Sequence, residues 1–98
     1  MWTKSKCYIG GHRMELLEAS VEQISIVLGE PYRQDDCDFP DDPYKVNVCW
    51  CVETKDSSIV TIWDYKQLSQ PDSKVRLFSI WYNHESAWLD LHKQIKKA

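Results

Sequence analysis

The sequence predicts an α+β domain, a two-layer sandwich in which two helices pack on one face of an antiparallel meander sheet. In three segments, 45–54, 59–66 and 75–82, apolar and polar residues alternate with the period of a strand. In two others, 20–28 and 84–97, apolar residues recur with the period of a helix. With a short strand before the first helix, the order is strand, helix, three strands, helix, which is typical of such a sandwich.

Length, charge and hydropathy limit the classes of protein to which the chain can belong. Its 98 residues fit a single domain, 1–98. The 15 acidic residues outnumber the 12 basic ones, whereas a dedicated nucleic-acid binder normally shows a basic excess. No apolar run is long enough to span a membrane, and none follows Lys4 and Lys6 as it would in a signal peptide. We therefore expect no direct contact with nucleic acid or membrane.

The first helix is predicted from its capping residues and its apolar stripe. Ser20 and Gln23 have the spacing of a capping box, in which each side chain bonds a free backbone N–H of the other residue. Gly29 is a typical residue after a helix end, and Pro31 follows it as a breaker. The apolar stripe consists of Val21, Ile24, Val27 and Leu28.

The segments on either side of this helix are less regular. Residues 7–11 are predicted to form a short strand that ends in a Gly-Gly turn, and residues 12–18 fit either a second extended segment or a helix. Residues 32–44 are predicted to form a surface loop, because prolines interrupt a run of acidic residues. The aspartates of this acidic loop are Asp35, Asp36, Asp38, Asp41 and Asp42.

The last helix is predicted to begin after Asn83, which can cap it. Its buried stripe is Trp88, Leu91 and Ile95. With both helices on one sheet face, the opposite face still carries apolar residues. Its cover must be the N-terminal segment, a second subunit or a ligand, so we expect a homodimer or a higher homo-oligomer.

Local motifs of an enzyme or of a metal site are absent from the sequence. There is no nucleophile elbow, zinc-protease motif, phosphate loop or dinucleotide fingerprint. Cys49 and Cys51 are two apart on a predicted strand, whereas structural zinc sites usually place such cysteines in turns. The acidic loop lacks the central glycine of a calcium loop. We expect no catalysis, no metal, no cofactor, and reduced thiols.

Aromatic and polar side chains lie together at the ends of the predicted strands. Aromatic planes beside cationic and polar donors suit a stacked base and its phosphate, and an arginine can bind a phosphate through two hydrogen bonds. The alternative for each tryptophan is packing in the core or in an interface. The candidate ligand-binding residues are Arg33, Trp63, Tyr65, Lys66, Trp81 and His84.

Three stretches form a pattern of a helix end followed by two strands: LGEPYR at 28–33, VNVCWCV at 46–52 and VTIWDYK at 60–66. This pattern resembles a group of small phage-encoded anti-defence proteins, in particular the Thoeris anti-defence kind, which act as sponges for nucleotide signals. The resemblance implies a homo-oligomer in the host cytoplasm that binds a signal of the cyclic ADP-ribose or cyclic-nucleotide type without cleaving it.

By position, the resemblance implies roles for Arg33, Trp63, Asp64, Tyr65 and Lys66 in such a site.

Two function hypotheses follow from the sequence. The first is a non-enzymatic phage counter-defence protein that sequesters a nucleotide immune signal. The second is an inhibitor that binds a host defence or restriction enzyme through the acidic loop 35–42.

Overall fold

The structure is a computed structural model that describes part of the chain. The predicted strand at 7–11 and the acidic loop at 35–42 lie outside the described residues. The described residues are 3–4, 14–33, 46–53, 56–65 and 71–98.

The two predicted helices and the three meander strands occur in the predicted order, and the α+β fold class is confirmed. The sequence does not predict two short strands, Thr3–Lys4 and Tyr32–Arg33. The prediction of a loop at 32–44 is wrong for its first two residues, which are extended because they pair with Cys49 and Val48. All strand pairs are antiparallel, and the sheet order is β1-β4-β5-β6-β2, with β3 also pairing with β4. The predicted meander is β4-β5-β6. The elements are β1 (Thr3–Lys4), β2 (Glu15–Ala19), α1 (Val21–Leu28), β3 (Tyr32–Arg33), β4 (Val46–Glu53), β5 (Ile59–Tyr65), β6 (Arg76–Tyr82) and α2 (Glu85–Lys97).

The segment that the sequence left open before α1 is an extended strand, β2. It pairs with β6 in the register Leu17↔Phe78. Its side chains alternate, because Leu17 and Ala19 are buried while Leu16 and Glu18 are exposed. This period of two is that of a strand with one face on the core.

Helix α1 begins and ends where the sequence predicts. Ser20 is its N-cap, and the Ser20 hydroxyl accepts a hydrogen bond of 3.1 Å from the Gln23 N–H. Gly29 follows the last turn with φ of 81°, a backbone conformation that costs glycine no Cβ clash. Its N–H donates to the Ser25 carbonyl at 2.8 Å.

Both helices pack on the same sheet face around one core. Trp50 packs edge-on against Phe78 with ring centroids 5.8 Å apart, and its indole N–H donates to the Gly29 carbonyl at 2.9 Å. Gln23 donates from α1 to the Ile95 carbonyl of α2 at 2.8 Å. The core consists of Leu17, Ala19, Val21, Ile24, Val48, Trp50, Val52, Val60, Ile62, Phe78, Ile80, Trp88, Leu91 and Ile95.

A buried ion pair lies on this same face, where the β4–β5 register shifts between Val46 and Cys49. The carboxylate of Asp64 accepts the Val48 N–H at 2.9 Å and lies 3.1 Å from a guanidinium nitrogen of Arg76. The two charged side chains are 0% and 2% exposed. The carboxylate thus satisfies a backbone donor at an irregular point of the ladder.

Asn83 has a different role from the predicted helix cap. Its amide oxygen accepts the Ile59 N–H at 2.7 Å, and its amide nitrogen donates to the Ser57 carbonyl at 2.9 Å. The N-cap of α2 is instead His84, whose side chain makes no capping hydrogen bond. Asn83 therefore joins the end of β6 to the turn before β5.

Candidate functional site

The sheet face opposite the helices is buried at its centre within the single chain. The side chains there are contributed by β4, β5 and β6, and each of these residues is 5% exposed or less. Neither a second subunit nor a ligand is needed to cover this central part. The buried residues are Cys49, Cys51, Thr61, Trp63 and Ser79.

The same face is open along β2 and the adjoining part of β6. Leu16 and Met14 are each 46% exposed, and Leu77 is 37% exposed. The register pairs Leu16 with Ser79 and Glu18 with Leu77, so these residues share the face away from the helices. Trp81 lies on this face of β6 and is half-buried. We call Met14, Leu16, Leu77 and Trp81 the open patch.

Acidic side chains lie on both faces of β2: Glu18 shares the face of the open patch, and Glu15 lies on the helix side. Glu15 and Glu18 of β2 are exposed, and among the described residues neither forms a salt bridge. Partial burial, together with the carboxylates of Glu85 and Glu15, raises the pKa of the Tyr82 phenol above its usual value. The surface at this edge of the sheet therefore combines apolar area with negative charge.

The two candidate tryptophans lie on the same face but differ in exposure. Trp63 pairs with Ser79, and Trp81 pairs with Thr61, so the two indoles are diagonal neighbours on adjacent strands. Trp63 is buried, and only Trp81 has exposed surface with which it could stack on a ligand. The side chain of Tyr65 and the whole of Lys66 lie outside the described part of the chain.

The structure does not bring Arg33 together with His84. Arg33 lies on β3 opposite Val48, near the end of β5, whereas His84 lies beside Ser58, just before β5 begins. Six strand residues separate these two positions, which corresponds to about 20 Å along the sheet. A single phosphate group therefore cannot contact both side chains.

Acidic partners already occupy the guanidinium of Arg33. Its two terminal nitrogens lie 3.1 and 3.5 Å from the carboxylate oxygens of Asp72, and Glu30 lies 3.7 Å away. A phosphate at this position would have to displace a bidentate carboxylate of the same sign of charge. The predicted role of Arg33 as a phosphate ligand thus competes with a structural ion pair.

Ser58 and His84 form the contact in the described residues that most resembles a nucleophile and its base. The His84 Nδ1 atom lies 3.2 Å from the Ser58 hydroxyl oxygen. A nucleophilic serine must reach its substrate, but Ser58 is only 3% exposed. The contact therefore joins the turn before β5 to the start of α2 and leaves no room for a substrate at the hydroxyl.

The cysteines of β4 are placed for packing. Cys49 and Cys51 are both buried on the same side of the strand. A hydrogen bond with Cys51, together with burial, raises the pKa of the Cys49 thiol, and a protonated thiol is a poor nucleophile and metal ligand. Within the described ranges, no cluster of three or more potential ligands could hold a metal ion. Cys7 and Cys37 lie outside those ranges.

The sequence does not predict the open patch. Its signal was the alternation within ELLEA at 15–19, which places Leu16 and Glu18 on the side opposite Leu17 and Ala19. Because that run is only five residues long, its period of two did not exclude a helix. That Leu16 and Leu77 lie on one exposed surface depends on the pairing of β2 with β6, which the sequence does not show.

Comparisons with protein-family models, with curated proteins and with solved structures find no match to this chain. The resemblance to phage anti-defence proteins therefore stays a prediction. Neither helix in the described part of the chain combines the length and apolar character needed to cross a bilayer.

Proposed function

We propose that this protein acts by binding another protein, as an inhibitor without catalytic activity of its own. The observation that carries the proposal is the open patch beside the carboxylate of Glu18, on a strand whose other face carries a second exposed carboxylate, Glu15. Single exposed apolar residues are ordinary on a protein surface. Neighbouring exposed apolar side chains with a polar border are instead typical of a protein–protein contact.

The target class in this proposal comes from the sequence. Resemblance to phage anti-defence proteins makes a host defence or restriction enzyme the first target to test. The acidic loop 35–42 carries the same sign of charge as the border of the open patch. A positively charged surface on the target would be complementary to both.

Capture experiments with matched variants test the proposal. The immobilised protein is exposed to extracts of the bacterial host, and bound proteins are identified by mass spectrometry. The test variant carries Leu16→Ser and Leu77→Ser. The control carries Ile26→Ser and Leu89→Ser, which change apolar residues that are 74% and 48% exposed on the helices.

We expect one partner to bind the unchanged protein and the helix control and to be lost by the Leu16 and Leu77 variant. The activity of that partner should then fall when the two purified proteins are mixed. Equal capture by both variants, or no specific capture by the unchanged protein, would refute a binding role for the open patch.

Sequestration of a nucleotide signal is the second candidate function. The partly exposed Trp81 favours it, because an accessible indole can stack on a base. A thermal-shift screen with cyclic ADP-ribose and cyclic dinucleotides measures such binding as an increase in Tm. A real ligand should lose its effect in Trp81→Ala, and absence of any shift at saturating concentration would reject this candidate.

Self-association is a separate proposal that the open patch also raises. If two copies meet through this surface, light scattering of the purified protein should give a multiple of 11.6 kDa. Leu16→Lys should then return the mass to that of one chain. A single-chain mass for the unchanged protein at high concentration would reject the homo-oligomer.

A further inference from the structure

We propose that the outer edge of β2 accepts an extended basic segment of the partner as an added strand. This inference rests on the proposed protein-binding function and specifies its mode and chemistry. In strand addition, backbone hydrogen bonds supply affinity, and alternate side chains supply specificity.

Among the described strands, β2 supplies the edge that this mode needs. Strand β2 is the last in the sheet order beyond β6, and in the described residues only β6 pairs with it. Exposed strand edges present backbone N–H and C=O groups that can pair with another chain. The open patch lies on the adjacent face, so an added strand would also contact apolar surface there.

The charges of β2 distinguish between a second copy and a basic segment. Glu15 and Glu18 lie on opposite faces of the strand, so both faces of the edge are negative. Pairing of β2 with β2 of a second copy would concentrate like charges in one short ribbon, which is unfavourable. A segment with lysine or arginine opposite both carboxylates would instead form cross-strand pairs of opposite charge, which are favourable.

The pattern on β2 defines the side chains that such a segment should carry. An antiparallel strand would place a basic residue opposite Glu18, an apolar residue opposite Leu16 and a second basic residue opposite Glu15. The resulting pattern is basic, any residue, apolar, basic. A segment that pairs with β2 in the parallel direction would need the same pattern in reverse order.

Peptides of defined sequence test this inference on the full chain. The test peptide is Thr-Lys-Thr-Leu-Lys-Val-Thr, and its charge-reversed control is Thr-Glu-Thr-Leu-Glu-Val-Thr. A third peptide has the test sequence with alternate backbone amides methylated, which removes hydrogen-bond donors but keeps the charges. NMR titration of the labelled protein measures both affinity and the location of binding.

We expect the test peptide to bind with its largest shift changes at residues 14–19. The acidic control should bind at least about tenfold more weakly, which corresponds to about 1.4 kcal/mol. The version methylated on the edge-facing amides should lose binding by a similar factor. Equal binding of the methylated peptide, or shift changes centred elsewhere, would overturn strand addition.

A charge swap tests the register. Glu18→Lys changes an exposed residue, so the variant should keep its fold, which its NMR spectrum verifies. It should lose the test peptide and regain affinity for Thr-Glu-Thr-Leu-Lys-Val-Thr, in which only the residue opposite position 18 is changed. Failure of this rescue would overturn the assigned register.

The outcomes separate this inference from the proposed function. If the host partner depends on Leu16 and Leu77 but the peptides do not bind at β2, strand addition is wrong and the binding role stands. If the peptides bind at β2 and no partner is captured, the edge chemistry is supported and the proposed function is refuted.

Discussion

Replacement of Asp64 by asparagine removes the charge that pairs with Arg76 and keeps an oxygen that can accept the Val48 N–H. The carboxylate lies 3.1 Å from the guanidinium and 2.9 Å from the backbone nitrogen of Val48. Arg76 also donates to the Pro71 carbonyl at 3.3 Å. The substitution therefore isolates the ion pair from the hydrogen bond at the β4 irregularity.

The expected loss of stability follows from the burial of both partners. Their side chains are 0% and 2% exposed, so water cannot solvate the guanidinium once the carboxylate charge is gone. Removing one member of a buried pair typically costs about 3–5 kcal/mol. For a domain of this size, 3 kcal/mol corresponds to a fall in Tm of about 12–24 °C.

Arg33→Met provides the matched control, because Arg33 and Asp72 form an ion pair of the same length at 44% and 43% side-chain exposure. Exposed pairs contribute about 0–1 kcal/mol. Urea unfolding followed by tryptophan fluorescence and circular dichroism measures both variants. If Asp64→Asn loses less than about 1 kcal/mol, as Arg33→Met should, the buried pair is not a major element of stability and the reasoning fails.

Three further predictions concern stability. Trp63→Ala should cost about 3–5 kcal/mol by thermal or urea unfolding because Trp63 is buried, whereas Trp81→Ala should cost clearly less; equal losses would contradict their different burial. Asn83→Ala should cost about 1–3 kcal/mol in the same assay through its two lost turn hydrogen bonds, and His84→Ala less; the reverse order would contradict the turn role. Because the pKa of the Cys49 thiol is higher in the folded state than in the unfolded state, the unfolded state loses the thiol proton first as the pH rises. The free energy of unfolding should therefore fall above pH 9.0, and it should fall less in Cys49→Ala. Parallel pH profiles of the two proteins would refute this.

The meander and α1 could be predicted because their local signals agree with the tertiary structure. In α1, the capping box and the terminal glycine mark both ends, and the structure places Ser20 and Gly29 accordingly. In β4, alternation places Val48 and Trp50 on the helix side. These signals depend only on neighbours in sequence, which is why no knowledge of the fold was needed.

The buried ion pair left a weaker signal. Asp64 shares its strand face with Val60 and Ile62, and Arg76 shares its face with Phe78 and Ile80. Opposite charges on the apolar faces of neighbouring strands indicate a buried pair, because an unpaired charge there would be very costly. The resemblance instead predicts a role for Asp64 in a ligand site, whereas the structure places it in this buried pair.

Which residues of the candidate ligand site lie together could not be predicted, because that depends on how the strands pair. The sequence predicts the aromatic cluster from residues at strand ends, but a position at a strand end does not fix which residues lie at the same end of the sheet. Arg33 pairs with Val48, near the end of β5, whereas His84 lies beside Ser58, just before β5 begins. Register, which the sequence did not provide, therefore decides against a single site for all of them.

Charge pairing divides the molecule into two regions with different properties. Near the end of β5, Arg33 pairs with Asp72 and Arg76 pairs with Asp64, so the cations of this region contribute to holding the fold together. Along the β2 edge, the carboxylate of Glu18 has no such partner in the described chain and lies beside exposed apolar side chains. A phosphate ligand at Arg33 would have to break the ion pair with Asp72, whereas a basic partner at the β2 edge would add an ion pair at Glu18 without breaking one in the described residues. This difference is the electrostatic reason for proposing a protein partner ahead of a nucleotide.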